Sequence, residues 1–135
     1  MTFVDTNILI DIASDNLRWG DWSRRALAAA YERGPLVVNV AVYAEFAINF
    51  ATLEECDAEL EPFNFTVADI PKAAAFRAAQ AFKGYRLAGG VRTNILPDFF
   101  IGAHALSLGA PLLTRDSRRY RNYFPQLALL APDAS

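Results

Sequence analysis

The sequence predicts an α/β protein built around a central parallel sheet of about five strands. Two observations predict it. Short apolar, strand-like runs alternate with longer segments of helical period, the pattern of β-α units. The chain is 135 residues long with 53% apolar and 21% charged residues, the size and balance of one globular domain over 1–135. No internal repeat, low-complexity segment or linker interrupts it.

The elements follow in order. Thr2 to Asp5 reads as the first strand. From Arg18 to Arg33 a helix is expected, with Trp19, Trp22, Ala26 and Ala29 on one face and Gly34-Pro35 as its stop. Leu36-Val37-Val38 is a second strand. Asn39 then caps a helix from about Val40 to Phe50, which places Glu45 in its interior. Leu53 to Leu60 reads as a short helix, and Phe63 to Val67 as a third strand at a sheet edge, because of Pro62.

Asp69-Ile70-Pro71 opens a long helix ending near Leu87, with Ala75, Ala79 and Phe82 on its buried side. Gly89-Gly90 starts a loop expected to be mobile. Pro97 suits the first turn of a helix reaching about Leu108, which Gly109 ends. Pro111 to Thr114 and Leu127 to Leu130 are the last two strands, with a short helix from about Ser117 between them.

Against this framework four acids stand out, each where an apolar segment ends or on a helix: Asp5, Glu45, Asp98 and Asp116. In open parallel sheets, ligands bind beyond the carboxyl ends of the strands, where the strand order reverses. Asp5 ends the first strand and Asp116 follows the fourth, so neighbouring strands would bring both to that crevice. Asp98 and Glu45 reach it if their helices pack across the top of the sheet. Two carboxylates about 4 Å apart repel by roughly 4 kcal/mol at an effective dielectric of 20. A cluster of them therefore holds protons at raised pKa values or holds cations, and Mg²⁺ or Mn²⁺ suits all-oxygen ligands. Such an ion activates water and stabilises phosphate oxygens, chemistry that needs no nucleophilic Ser, Cys or His. Thr6, Asn7 and Thr114 carry short polar side chains able to orient these carboxylates, or simply to cap and turn the chain.

The pattern resembles the PIN-domain ribonucleases, and most closely the VapC toxins of bacterial toxin–antitoxin pairs. It is carried by an apolar strand ending Asp5-Thr6-Asn7, by Glu45 in Tyr43-Ala44-Glu45-Phe46, by Pro97-Asp98 with Ile101 and Ala103 following, and by Leu113-Thr114-Arg115-Asp116. The resemblance spans essentially the whole chain. It implies a three-layer α/β/α domain, Mg²⁺ or Mn²⁺ bound by Asp5, Glu45, Asp98 and Asp116, endonucleolytic cleavage of RNA, a homodimer, and inhibition by a cognate antitoxin resembling VapB. A PIN-like module that binds RNA or protein without cutting is the alternative.

Charge and the remaining chemistry narrow the field. Net charge is −2, so nothing draws nucleic acid to the protein as a whole. Yet eleven of the thirteen basic residues are Arg, and Arg115, Arg118, Arg119 and Arg121 follow or flank Asp116. Arg115, Arg118 and Arg119 are candidate RNA phosphate contacts, although Arg115 can equally pair with a nearby acid. The acidic run from Glu54 to Glu61 reads as a solvated helix face.

Cys56 is the single cysteine, which excludes an internal disulfide and thiolate metal sites, and the acids around it disfavour its thiolate. His104, the single histidine, falls about 240° around a helix from Asp98 and is expected to be structural. Of the aromatic residues Trp19, Trp22, Tyr31, Phe46 and Phe50, most are core, and an exposed subset would suit a docking groove. No Gly-rich phosphate loop with Lys-Ser/Thr exists, and Lys72 and Lys83 share one helix, which argues against a phosphoacceptor receiver domain. Ile95 to Leu113 is broken by Pro97, Asp98, Gly102 and Pro111 and cannot span a membrane. With no leader-like segment, a cytoplasmic location is expected.

Overall fold

The structure, a computed structural model, describes residues 1–91 and 95–132. Its strands are β1 Thr2–Val4, β2 Leu36–Asn39, β3 Thr66–Ala68, β4 Leu112–Leu113 and β5 Leu129–Leu130. They form one sheet in the order β3-β2-β1-β4-β5, with every neighbouring pair parallel. Thr2 pairs with Leu36 on one side of β1, and Phe3 with Leu112 on the other. Parallel strands need crossovers, and the helices supply them: α1 Thr6–Ala13, α2 Gly20–Arg33, α3 Val40–Ala47, α4 Leu53–Leu60, α5 Lys72–Leu87, α6 Leu96–Leu108 and α7 Arg118–Tyr123. They flank the sheet in three layers. Among the described residues no helix is long and apolar enough to cross a membrane.

The chain winds outward from β1 through β2 to β3, then returns past β1 to β4 and β5. The order therefore reverses between β1 and β4, as required for a crevice at their carboxyl ends. Both strands are fully buried on both faces, as are Leu36, Val37 and Val38 of β2. β3 is an edge, in line with the sequence, but begins only at Thr66; Glu61–Phe63 is instead a 3₁₀ turn ended by Asn64 in the left-handed conformation.

Three further features differ from the sequence reading. A helix, α1, begins immediately after Asp5, where the sequence suggests capping or a turn but no helix of its own. Its buried residues include Ile8 and Leu9, so Ile8-Leu9-Ile10 is helical despite its β-branched residues. On α2 the buried stripe is Gly20, Ser23, Leu27 and Ala30, one residue out of phase with the expected Trp19, Trp22, Ala26 and Ala29. On α5 it runs through Ala74 and Ala78, with Ala81, Phe82 and Tyr85 packed against the core, whereas Ala79 is exposed. The loop opened by Gly89-Gly90 runs into 92–94, which lie outside the described residues, as does the mobility expected of it.

His104 is structural. It is buried in α6, its ring packs edge-on to Phe3 at 5.3 Å, and its Nδ1 lies 3.2 Å from the Asn39 amide nitrogen. Asn39 meanwhile caps α3, accepting from the Val42 N–H at 3.0 Å. Cys56 is buried inside α4, and the acids around it face solvent.

α6 is buried nearly all round, and Gly102 sets how closely the C-terminal segment can approach it. A Cβ on Gly102 would stand 2.6 Å from the ring of Phe124, which is itself buried. Gly102→Ala is therefore expected to lower stability by about 1–3 kcal/mol through overpacking. Intrinsic helix propensity alone would raise it by about 1 kcal/mol. The melting temperatures of the two proteins decide between the two signs.

Candidate active site

Pairing of β1 with β4 sets the first two site residues side by side. The Asp5 N–H donates to the Leu113 carbonyl at 2.9 Å, which continues the ladder one residue past the strands. Asp5 then leaves the sheet in an extended conformation and caps α1, accepting from the Thr6 N–H at 2.7 Å. Its other oxygen accepts from the Thr114 hydroxyl at 2.8 Å, the Tyr120 phenol at 3.0 Å and the Asn7 amide at 3.3 Å. Two residues beyond β4, the Asp116 N–H donates to Thr114 Oγ1 at 3.1 Å, so one threonine braces both acids.

Glu45 comes from the middle of α3 and accepts from the Thr6 hydroxyl at 2.8 Å. Asp98 lies in the first turn of α6, after Pro97, and pairs closely with the Arg119 guanidinium from α7. Asp5, Glu45, Asp98 and Asp116 thus all line one cavity of about 180 Å³, completed by Thr6, Asn7, Ile10 and Tyr120.

The electrostatics reflect that crowding. Burial and then the nearby Asp98 charge push Asp5 up to about 7, against the opposing pull of its Thr114, Tyr120 and Thr6 hydrogen bonds. Asp98 is raised to about 6, chiefly by burial; Arg119 lowers it, while Glu45 and Asp116 raise it. Tyr120 is held well above its ordinary value by burial and by Asp5, so its phenol remains a donor.

The donor set is entirely oxygen, as hard divalent cations require, and raised carboxylates are those a cation would relieve. Chemically, the residues fit Mg²⁺ or Mn²⁺. As the side chains stand, no three acidic, His or Cys side chains among the described residues are grouped to hold a metal ion. Asp98 is turned onto Arg119 and Glu45 onto Thr6.

A model of the family described as PIN domain matches residues 2–125. The chain belongs to the PIN domain family. Solved structures similar to this PIN domain include VapBC2 from Rickettsia felis bound to a promoter DNA fragment, at 19% identity and a TM-score of 0.73, with 98% of each chain covered. VapBC-1 from nontypeable Haemophilus influenzae is 20% identical, with a TM-score of 0.71 and 96% of each chain covered. FitAcB from Neisseria gonorrhoeae is 17% identical, with a TM-score of 0.70 over the whole of both chains. At such identities the likeness is one of fold. A comparison with curated protein sequences finds no match.

Two residues of this PIN domain matter to the site although they lie outside the four-acid pattern. Tyr120 is one, a buried phenol aimed at Asp5. Asp11 is the other. It is fully buried in α1, and its Oδ2 accepts from Arg115 Nε at 2.7 Å and from the Ser23 hydroxyl of α2 at 2.8 Å. Among the described residues its Oδ1 has no hydrogen-bond partner. Arg115 stands between Thr114 and Asp116, and its N–H also donates to the Asn7 side chain at 3.3 Å. Asp11 therefore ties the loop carrying Asp116 to α1 and α2, and Arg115 is the structural member of the arginine group. The one signal of Asp11 in the sequence is a lone acid inside Ile8-Leu9-Ile10-Asp11-Ile12.

Asp11→Ala is expected to lower the melting temperature. The loss should fall short of the roughly 3–5 kcal/mol of a fully buried pair, since the Arg115 side chain is 31% exposed and can reach water. A melting temperature equal to the parent's would show that this tie holds nothing.

A second expectation concerns pH. Asp5 has a folded value above its ordinary 3.8, so the stability it contributes is full below about pH 4 and lost as pH climbs through about 7. The rise from 3.8 to about 7 corresponds to roughly 4 kcal/mol. Asp98 acts in the same sense over the range up to about 6. Chelator-treated protein should therefore melt at a lower temperature at pH 8 than at pH 5, with a smaller difference in Asp5→Asn.

Proposed function

We propose that this PIN domain is a metal-dependent endoribonuclease, the toxin of a toxin–antitoxin pair of the VapC type. The observation that carries the reading is the meeting of Asp5, Glu45, Asp98 and Asp116 in one cavity at the point where the sheet reverses. The other polar side chains lining that cavity are occupied. Thr6 donates to Glu45, Asn7 and Tyr120 donate to Asp5, and Tyr120 stays protonated. Neither lining hydroxyl is left free as a nucleophile, which favours attack by water on a phosphodiester.

The four acids would hold Mg²⁺ or Mn²⁺, which supplies Lewis-acid polarisation of phosphate oxygens and activation of water. Asp5 is the fixed point of the set, gripped by Thr6, Asn7, Thr114 and Tyr120. Thr6 orients Glu45 and Thr114 orients Asp116. Burial keeps bulk water away from Asp5 and strengthens every charge interaction there. Arg119 stands at the rim, where its guanidinium can meet the charge that develops on phosphate, with Arg118 beside it.

An antitoxin partner is supported by the neighbouring folds, which include VapBC complexes, and by a second cavity against the first. Ile10 lines both, and Ala13, Ser14, Asn49 and Phe50 complete the second, beside Ile48, which is 82% exposed. An amphipathic helix of the antitoxin would find its apolar contacts there, within reach of the acids. A homodimer would cover Phe76, 67% exposed on α5. The cytoplasm, where RNA and antitoxin meet, is the expected location.

Asp5→Asn, Asp98→Asn and Asp116→Asn should each abolish RNA cleavage while the protein remains folded. Full activity in any one of them removes that residue from the mechanism. Millimolar Mg²⁺ or Mn²⁺ should raise the melting temperature of the parent protein, and a chelator should stop cleavage. A folded parent protein that cuts no RNA with either ion would favour a non-cutting module, the reading for which the Asp98–Arg119 pair speaks.

A further inference from the structure

Beside the acid cavity lies a larger cleft of about 300 Å³ lined by Tyr85, Asp116, Arg118, Arg119, Asn122 and Tyr123. The two share Asp116, so whatever fills the cleft touches the proposed cutting site. α7 builds most of its wall. Arg118 and Asn122 are four residues apart on one stripe of this helix, and Arg119 and Tyr123 on the adjacent one. The cleft therefore presents cationic and amide groups together with phenol rings.

The rings are held from behind. Tyr123 packs edge-on to Phe99 at 5.4 Å and to Tyr85 at 6.0 Å, and Tyr85 also contacts Phe99 at 5.8 Å. Phe99 is fully buried, whereas Tyr85 and Tyr123 are half-buried. The backbone presses on Tyr85 as well, since a Cβ on Gly90 would fall 2.4 Å from its ring. Two aromatic side chains are thus fixed in place at low entropic cost to a ligand, while Arg118 and Asn122 remain exposed.

We propose that the cleft is a nucleotide subsite that seats one unpaired RNA nucleotide flanking the phosphate presented to the acids. In this subsite the base packs against Tyr85 and Tyr123, Asn122 hydrogen-bonds its edge, and Arg118 meets the adjoining phosphate. The inference rests on the nuclease reading of the acid cavity and adds to it what the enzyme grips. Aromatic packing combined with arginine is how proteins hold single-stranded nucleic acid, because every base has a π-face and every linkage a charge. A duplex would keep its bases stacked away from such a cleft, so the cleft takes an unpaired nucleotide.

The test uses the full chain, a chelator to prevent cutting, and fluorescently labelled single-stranded RNA oligonucleotides of mixed sequence. Arg118→Ala and Tyr123→Leu should each weaken binding by about five- to a hundred-fold. Asn122→Ala should weaken it by about three- to ten-fold, with the loss in cleavage assays falling on KM rather than kcat. Replacing the base beside the mapped cut by an abasic site should weaken binding to the parent protein and have little further effect on Tyr123→Leu. Asp5→Asn should keep its RNA affinity while losing cleavage, which separates grip from cutting. If the parent cuts RNA while the Arg118 and Asn122 variants, both at exposed positions, bind and cut as it does, the cleft proposal falls and the nuclease reading stands. A parent protein that neither binds nor cuts RNA overturns both. Equal affinity for duplex and single-stranded RNA overturns the subsite alone.

Discussion

The parallel pairing of β1 with β4 is the contact on which the rest depends. It joins residues more than a hundred positions apart and ends with the Asp5 N–H bonded to the Leu113 carbonyl. From there the Thr114 hydroxyl reaches Asp5 at 2.8 Å, and the chain turns so that Asp116 faces the same cavity. β1 lies at the centre of the sheet and is buried on both faces, so a slip in its register would turn Phe3 into the opposite layer and separate the two acids. Hydrophobic burial holds the strands, and the strands hold the charges.

Those charges work against the fold. Four carboxylates at one cavity repel, and Asp5, the buried one, is screened least. The chain answers locally. Hydrogen bonds from Thr6, Asn7, Thr114 and Tyr120 converge on Asp5, and the Arg119 guanidinium rests on Asp98. Even so, burial wins at Asp5 and Asp98, whose protonated forms are favoured well above the ordinary carboxylate range. A site that is strained when empty of cations is the expected companion of a site proposed to bind them.

Arginine is put to more than one use in this region. Arg115 is committed to the buried Asp11 and fastens the loop of Asp116 to α1 and α2, while Arg119 leans into the acids and Arg118 stands outside. Adjacent residues of one type have been divided by the helix and loop geometry into a brace and a cationic rim. No count of charges along the chain foretells that division. It depends on where α1 and α2 place Asp11 and Ser23.

The sequence by itself determined the alternation of strands and helices, the edge position of β3, the capping by Asn39, and the placing of Asp5, Glu45 and Asp98 at a strand end, within a helix and in a first turn. Each of these is written in local chemistry: apolar runs, Pro and Gly punctuation, and side chains that satisfy free backbone groups. Tertiary structure alone decided the rest. The helical period suggested the Trp face of α2, but the helix buries Ser23, whose hydroxyl meets Asp11. In α5 the alanines were too alike to fix the phase. Ile8-Leu9-Ile10 became helical because Asp5 ends the strand and caps α1. Burial, which sets both the phase of a helix and the proton affinity of an acid, is a property of neighbours brought together across the chain.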